Sequence, residues 1–151
     1  IFDEYRNIDW LIKAAKDGVI AGTPIDKNVP KLLAVTELTS ISDEILHYEQ
    51  NCNLSMNDQV LSLATTAKKA GADGVICSPL EVKNLRQKVG EDFLYVTPGI
   101  RPAGNAKDDQ SRVATPLQAK EWGSTAIVVG RPITLATAPE AAYEAIKKEF
   151  N

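Results

Sequence analysis

Four apolar runs, each followed by a helical pattern, constrain this chain more than any other feature. They are KLLAVTEL (31–38), GVICS (74–78), FLYVT (93–97) and TAIVVG (125–130). A strand with one wet face alternates apolar and polar residues. An unbroken apolar run instead marks a strand covered on both faces, as in a parallel sheet. The segments between them carry helix signals. Ser55 with Asp58 three positions on resembles a capping box. Val60, Leu63, Ala64 and Ala67 then share one face, Lys68 and Lys69 suit the negative end of the helix dipole, and Gly71 suits its stop. Pro79 opens a helix that runs to about Val89 and ends at Gly90. Thr115 and Pro116 begin another, which stops at Gly123. Pro139 begins the last, with Ala142, Ile146 and Phe150 inward. Near the start, NIDWLIKAAKDGV is helical with Ile8, Leu11, Ile12 and Ala15 on one face, and AGTPIDKNVP (21–30) is a polar connection.

Repeated strand–helix units predict a parallel sheet, either open and doubly wound or part of a (β/α)8 barrel. A full barrel takes about 200–250 residues and eight strands. With 151 residues and four strands, the chain fits one domain, 1–151, built as a smaller open sheet or as half a barrel. Net charge is −3, which gives no general attraction to nucleic acid or an anionic membrane, so positive charge must act locally. No apolar run reaches the roughly 18 residues of a membrane span, and no basic-then-apolar leader opens the chain. Cys52 and Cys77 lack metal-ligand spacing, and Cys77 reads as a small buried hydrophobe. A reducing cytoplasm fits this usage.

Two strand-like runs end at an arginine. FLYVT leads into Pro98, Gly99 and Arg101, and TAIVVG ends at Gly130 and Arg131. Gly99 permits a sharp turn and close backbone approach to a ligand. The arginine forks and the backbone N–H groups at Gly130 and Arg131 suit a phosphate dianion. The segment 102–114 is long enough to close over a ligand, with Gln110 as a neutral donor. Thr39 and Ser40 end the first run, where hydroxyls either meet a polar ligand edge or cap the next helix near Ser42. His47, the single histidine, has no acid or nucleophile partner visible in the sequence.

Taken together, LLAVTELTS, AGADGVICSPLE, YVTPGIRPAGNAKDDQSRVATPLQA and IVVGRPIT resemble the orotidine 5′-phosphate decarboxylase family, bacterial type, in order and spacing. The likeness runs from residue 12 to about 148 and leaves 1–10 as an unmatched junction or divergent segment. It implies a (β/α)8 barrel of which this chain carries about the C-terminal half, strands five to eight. The family converts orotidine monophosphate to uridine monophosphate and carbon dioxide without a cofactor, as a cytoplasmic homodimer. The resemblance assigns Arg101, Gln110, Arg131 and the Gly130 backbone to the phosphate, Thr39 to the pyrimidine edge and Pro98 to the side of the ring. The family's catalytic motif, D-x-K-x-x-D-I-P-N-T, does not occur in this sequence. The chain therefore offers no catalytic residue of its own. Alternatives are a non-catalytic nucleotide-phosphate binding unit or another phosphate-binding barrel enzyme.

Overall fold

The computed structural model describes residues 8–25, 27–103 and 112–151. Four parallel strands, β1 (Leu33–Val35), β2 (Gly74–Ile76), β3 (Leu94–Thr97) and β4 (Ala126–Ile127), pair in sequence order. A doubly wound sheet reverses its strand order at a switch point. This sheet does not reverse. Consecutive right-handed crossovers therefore put the connecting helices on one face, as in a (β/α)8 barrel. The chain is of that barrel architecture, with four strands of it among the described residues.

Register assigns the two faces, because partners across a ladder point the same way. Ala34, Val75 and Tyr95 lie in one row; Val75 and Tyr95 are completely buried. Val35, Ile76, Val96 and Ala126 lie in another. Val35 is 57% exposed, so among the described residues this second face is only partly covered. The expectation of strands closed on both faces holds for one face alone.

The ladders are shorter than the apolar runs. Except at β3, each run continues past its last paired residue toward the sheet's carboxyl edge, and hydrogen bonds between neighbouring strands persist for one further residue. The N–H groups of Thr36, Cys77 and Val128 donate to the carbonyls of Ile76, Val96 and Thr97 at 3.1, 3.2 and 3.0 Å. Gly130 and Arg131 accordingly do not end a strand. Gly130 caps, and Arg131 begins, the short helix α5 (Arg131–Thr134).

The other helices are α1 (Ile8–Gly22), α2 (Met56–Lys69), α3 (Pro79–Val89), α4 (Pro116–Glu121) and α6 (Pro139–Phe150). Ser55 accepts the Asp58 N–H at 3.1 Å, and Val60, Ala64 and Ala67 of α2 are buried. Thr115 and Gln118 form a full capping box on α4. On α6 only Ile146 is deeply buried. The expected face of α1 is rotated: Leu11 is 56% exposed and Ala15 is exposed, while Ile12 packs on the core. Lys16 also faces inward, and its ammonium donates to the Gly71 carbonyl (2.7 Å) and Asp73 (3.2 Å). A polar tether, invisible to apolar periodicity, sets the rotation. Between β1 and α2 a single π-helical turn (Ile45–Glu49) stands where a helix was expected.

The core joins Val60 and Ala64 of α2, Val82 and Leu85 of α3, Val75, Cys77 and Tyr95. Burial raises the Cys77 thiol to about 12, so the side chain is a neutral hydrophobe, as read from the sequence. Phe93 meets Tyr95 edge-on at 5.8 Å. The Tyr95 hydroxyl donates to the Gly90 carbonyl at 2.7 Å, closing the end of α3. No helix among the described residues is long and apolar enough to cross a membrane.

Candidate functional site

The carboxyl ends of the strands open on a cleft of about 320 Å³, bordered by Thr39, Pro98, Gly99, Arg101, Gly130 and Arg131. Ligand sites of parallel α/β sheets lie at this edge, where the loops after the strands converge. Five of the six residues assigned to a nucleotide thus share one concavity. The sixth, Gln110, lies outside the described residues, as does most of the segment 102–114.

The two arginines are held differently. Arg101 is 8% exposed. Its N–H donates to the Ala114 carbonyl at 2.9 Å, and its Nη1 to the Ile100 carbonyl at 2.9 Å. Arg131 is exposed at the start of α5. Thr39 is 6% exposed. Val35, Ile76 and Val128 give the cleft an apolar wall, so it joins cations to an apolar surface. Phosphate suits the first and a flat heterocycle the second.

Gly99 has φ of +76°, and a Cβ there would stand 2.8 Å from the Arg112 carbonyl oxygen and 3.4 Å from the Thr39 methyl. The sharp turn expected of Gly99 is present. The space of its missing Cβ is taken by the Arg112 carbonyl, and Gly99 also borders the cleft. At Gly130, φ is −100° and a Cβ would meet open space. No protein neighbour demands a glycine at that position.

Sequence reasoning missed Arg112 and Glu81. The chain returns to the sheet through an isolated parallel bridge, Ile100 to Ala114. Just before it, the Arg112 Nη1 pairs with the Glu81 Oε1, while its Nη2 donates to the carbonyls of Leu38 (2.7 Å) and Glu37 (3.3 Å). Both side chains are shielded, at 12% and 3% exposure. Burial pulls the Arg112 pKa down from its ordinary value; the Glu37 and Asp43 carboxylates oppose that. The other Glu81 oxygen accepts the Ser78 N–H at 2.9 Å, completing the capping box of α3. A Ser-x-x-Glu spacing at 78–81 was the available signal: it turns the glutamate back over the helix start.

His47 is exposed, and its Nδ1 donates to the Cys52 carbonyl at 2.7 Å. It lies outside the cleft lining. Among the described residues, no three histidine, cysteine or acidic side chains come together to hold a metal ion.

A singly wound parallel sheet with a cleft at its carboxyl edge, bordered by two arginines, defines an α/β-barrel protein. Residues 8–146 match the family described as orotidine 5′-phosphate decarboxylase / HUMPS, and the chain belongs to that family. It is 97% identical over 141 residues to the orotidine 5′-phosphate decarboxylase of Lactobacillus johnsonii, covering 93% of this chain and 60% of that protein. The Lactobacillus gasseri enzyme is 90% identical over the same extent. A crystal structure of the Lactobacillus acidophilus enzyme superposes with a TM-score of 0.81 at 69% identity, covering 95% of this chain and 59% of that one. The chain thus spans about 60% of the length of the curated relatives it matches.

Proposed function

We propose that this chain carries the nucleotide-gripping half of an orotidine 5′-monophosphate decarboxylase, corresponding to barrel strands five to eight of that enzyme. The carrying observation is the convergence of Thr39, Pro98, Arg101, Gly130 and Arg131 on one cleft at the strand ends. In this reading the two guanidinium groups and the Gly130 N–H hold the phosphate, with Gln110 reaching it from the segment after β3. Thr39 meets the pyrimidine edge, and Pro98 flanks the ring against the apolar wall of Val35, Ile76 and Val128.

The reaction breaks the bond between the pyrimidine ring and its carboxylate. Carbon dioxide leaves, the bonding pair stays on the ring carbon, and a proton then replaces the lost group. The proton donor in this family belongs to the lysine–aspartate motif, which this sequence lacks. What these residues supply is grip remote from the reacting carbon. Phosphate binding offsets the entropy of fixing the ring and of excluding water around it, so it lowers the barrier without touching the breaking bond. In this reading the complete enzyme is a cytoplasmic homodimer.

The missing motif favours a second reading for the chain by itself: nucleotide binding without turnover. Titration with uridine monophosphate, paired with a decarboxylation assay, tests both. Binding with no turnover is expected. Absence of binding would remove the assignment of the cleft, and turnover near that of the complete relatives would remove the claim of inactivity.

A further inference from the structure

Glu81 and Arg112 form a shielded ion pair outside the set of residues assigned to the phosphate. It touches the ends of three consecutive strands. Through Nη2 it holds the carbonyls of Glu37 and Leu38, which follow β1 and precede Thr39. Through Glu81 it reaches Ser78, which follows β2. Through the bridge at Ala114 and the contact of its own carbonyl with Gly99, it abuts the end of β3. Glu37, Leu38, Thr39 and Gly99 all line the cleft.

Strand ends in a parallel sheet are joined to one another only by long crossovers, so nothing in the ladder fixes the spacing of the residues beyond it. A guanidinium does fix it. Its planar fork has donors in set directions, and here Nη1 and Nη2 hold one carboxylate and two carbonyls. A lysine would satisfy the charge and leave the carbonyls unheld. Shielding strengthens each contact and makes the loss of either partner costly.

Resting on the reading of the cleft given above, we propose that Arg112, braced by Glu81, is a positioning residue. It sets the distance between the Thr39 side of the cleft, which meets the heterocycle, and the Arg101 side, which meets the phosphate. The brace therefore governs recognition of a whole nucleotide more than recognition of its phosphate.

Two variants of this chain test it, each checked for folding by circular dichroism and thermal melting. Arg112→Lys keeps a cation opposite Glu81. The double change Arg112→Met with Glu81→Gln removes the pair without leaving a buried charge unmatched. Each is titrated with uridine monophosphate and, separately, with inorganic phosphate, followed by NMR shifts. Both variants should bind uridine monophosphate about tenfold or more weakly, with inorganic phosphate changed by less than about twofold. A lower melting temperature with unchanged uridine monophosphate affinity would make the pair merely structural and overturn the proposal. A parallel loss of both ligands would overturn it too, since positioning predicts a split. An unmutated chain that binds neither ligand would overturn the reading of the cleft, and this inference with it.

Discussion

Arg101 and Arg131, far apart in sequence, border one cleft, yet one is buried and the other exposed. Arg101 is woven into the backbone of its own turn through the Ile100 and Ala114 carbonyls. Arg131 stands at the rim on the first turn of α5. The two therefore separate binding from folding.

Replacing Arg131 with alanine should leave the melting temperature nearly unchanged, because an exposed side chain buries little. Uridine monophosphate affinity should fall roughly ten- to hundredfold, the effect of losing a hydrogen bond to a charged group worth about 1.5–3 kcal/mol. Calorimetric titration beside a thermal melt reads both. Unchanged affinity would remove Arg131 from the phosphate site.

Gly99→Ala should destabilise the fold by about 1–2 kcal/mol, since an L side chain at positive φ is strained and this one would press on the Arg112 carbonyl. Denaturant unfolding measures it. An alanine variant as stable as the parent would mean that the turn relaxes at no cost.

Cys77 sets a pH limit. Its thiol is raised from an ordinary 9.0 to about 12 by burial, with Arg112 acting weakly the other way. A group whose folded pKa is raised contributes its full stability below the unfolded value and loses it as pH climbs toward the folded one. Stability should therefore fall between about pH 9 and 12, and Tyr95, also raised to about 12, adds to the fall. Cys77→Ala should flatten part of that decline in urea midpoints measured across the range; an identical slope would exclude the thiol as its source.

Asp73 acts at the acid end. Its carboxylate accepts the Leu32 N–H at 2.9 Å and pairs with Lys16 and Lys31, which hold its pKa below the ordinary 3.8. A depressed pKa means stability present above the unfolded value and lost as pH falls through the folded one. Asp73→Asn should lower stability at neutral pH by about 1 kcal/mol and narrow the gap to the parent below pH 4. A gap constant with pH would show that the charge contributes nothing.

Helix boundaries were legible where short-range chemistry sets them. The helix from Pro79 to about Val89 was legible, because Pro79 and Gly90 are local signals. The four strands and their parallel pairing were legible from unbroken apolar runs. Their lengths were not, since the first and fourth runs extend beyond the ladder to line the cleft. The α1 face was misread because Lys16 reaches Gly71 and Asp73 across the fold. Glu81 looked like one more helix-surface acid, and its pairing with Arg112 appears only once the chain returns beside β3. The strand ends themselves offered two arginines and a phosphate; the resemblance added the nucleotide and the roles of Thr39 and Pro98.

The most direct test of the central claim is a crystal structure of this chain with uridine monophosphate bound. The account predicts phosphoryl oxygens about 2.7–3.2 Å from the guanidinium nitrogens of both Arg101 and Arg131, with the ring beside Thr39 and Pro98. A nucleotide seated elsewhere, or one whose phosphate touches neither arginine, would contradict it.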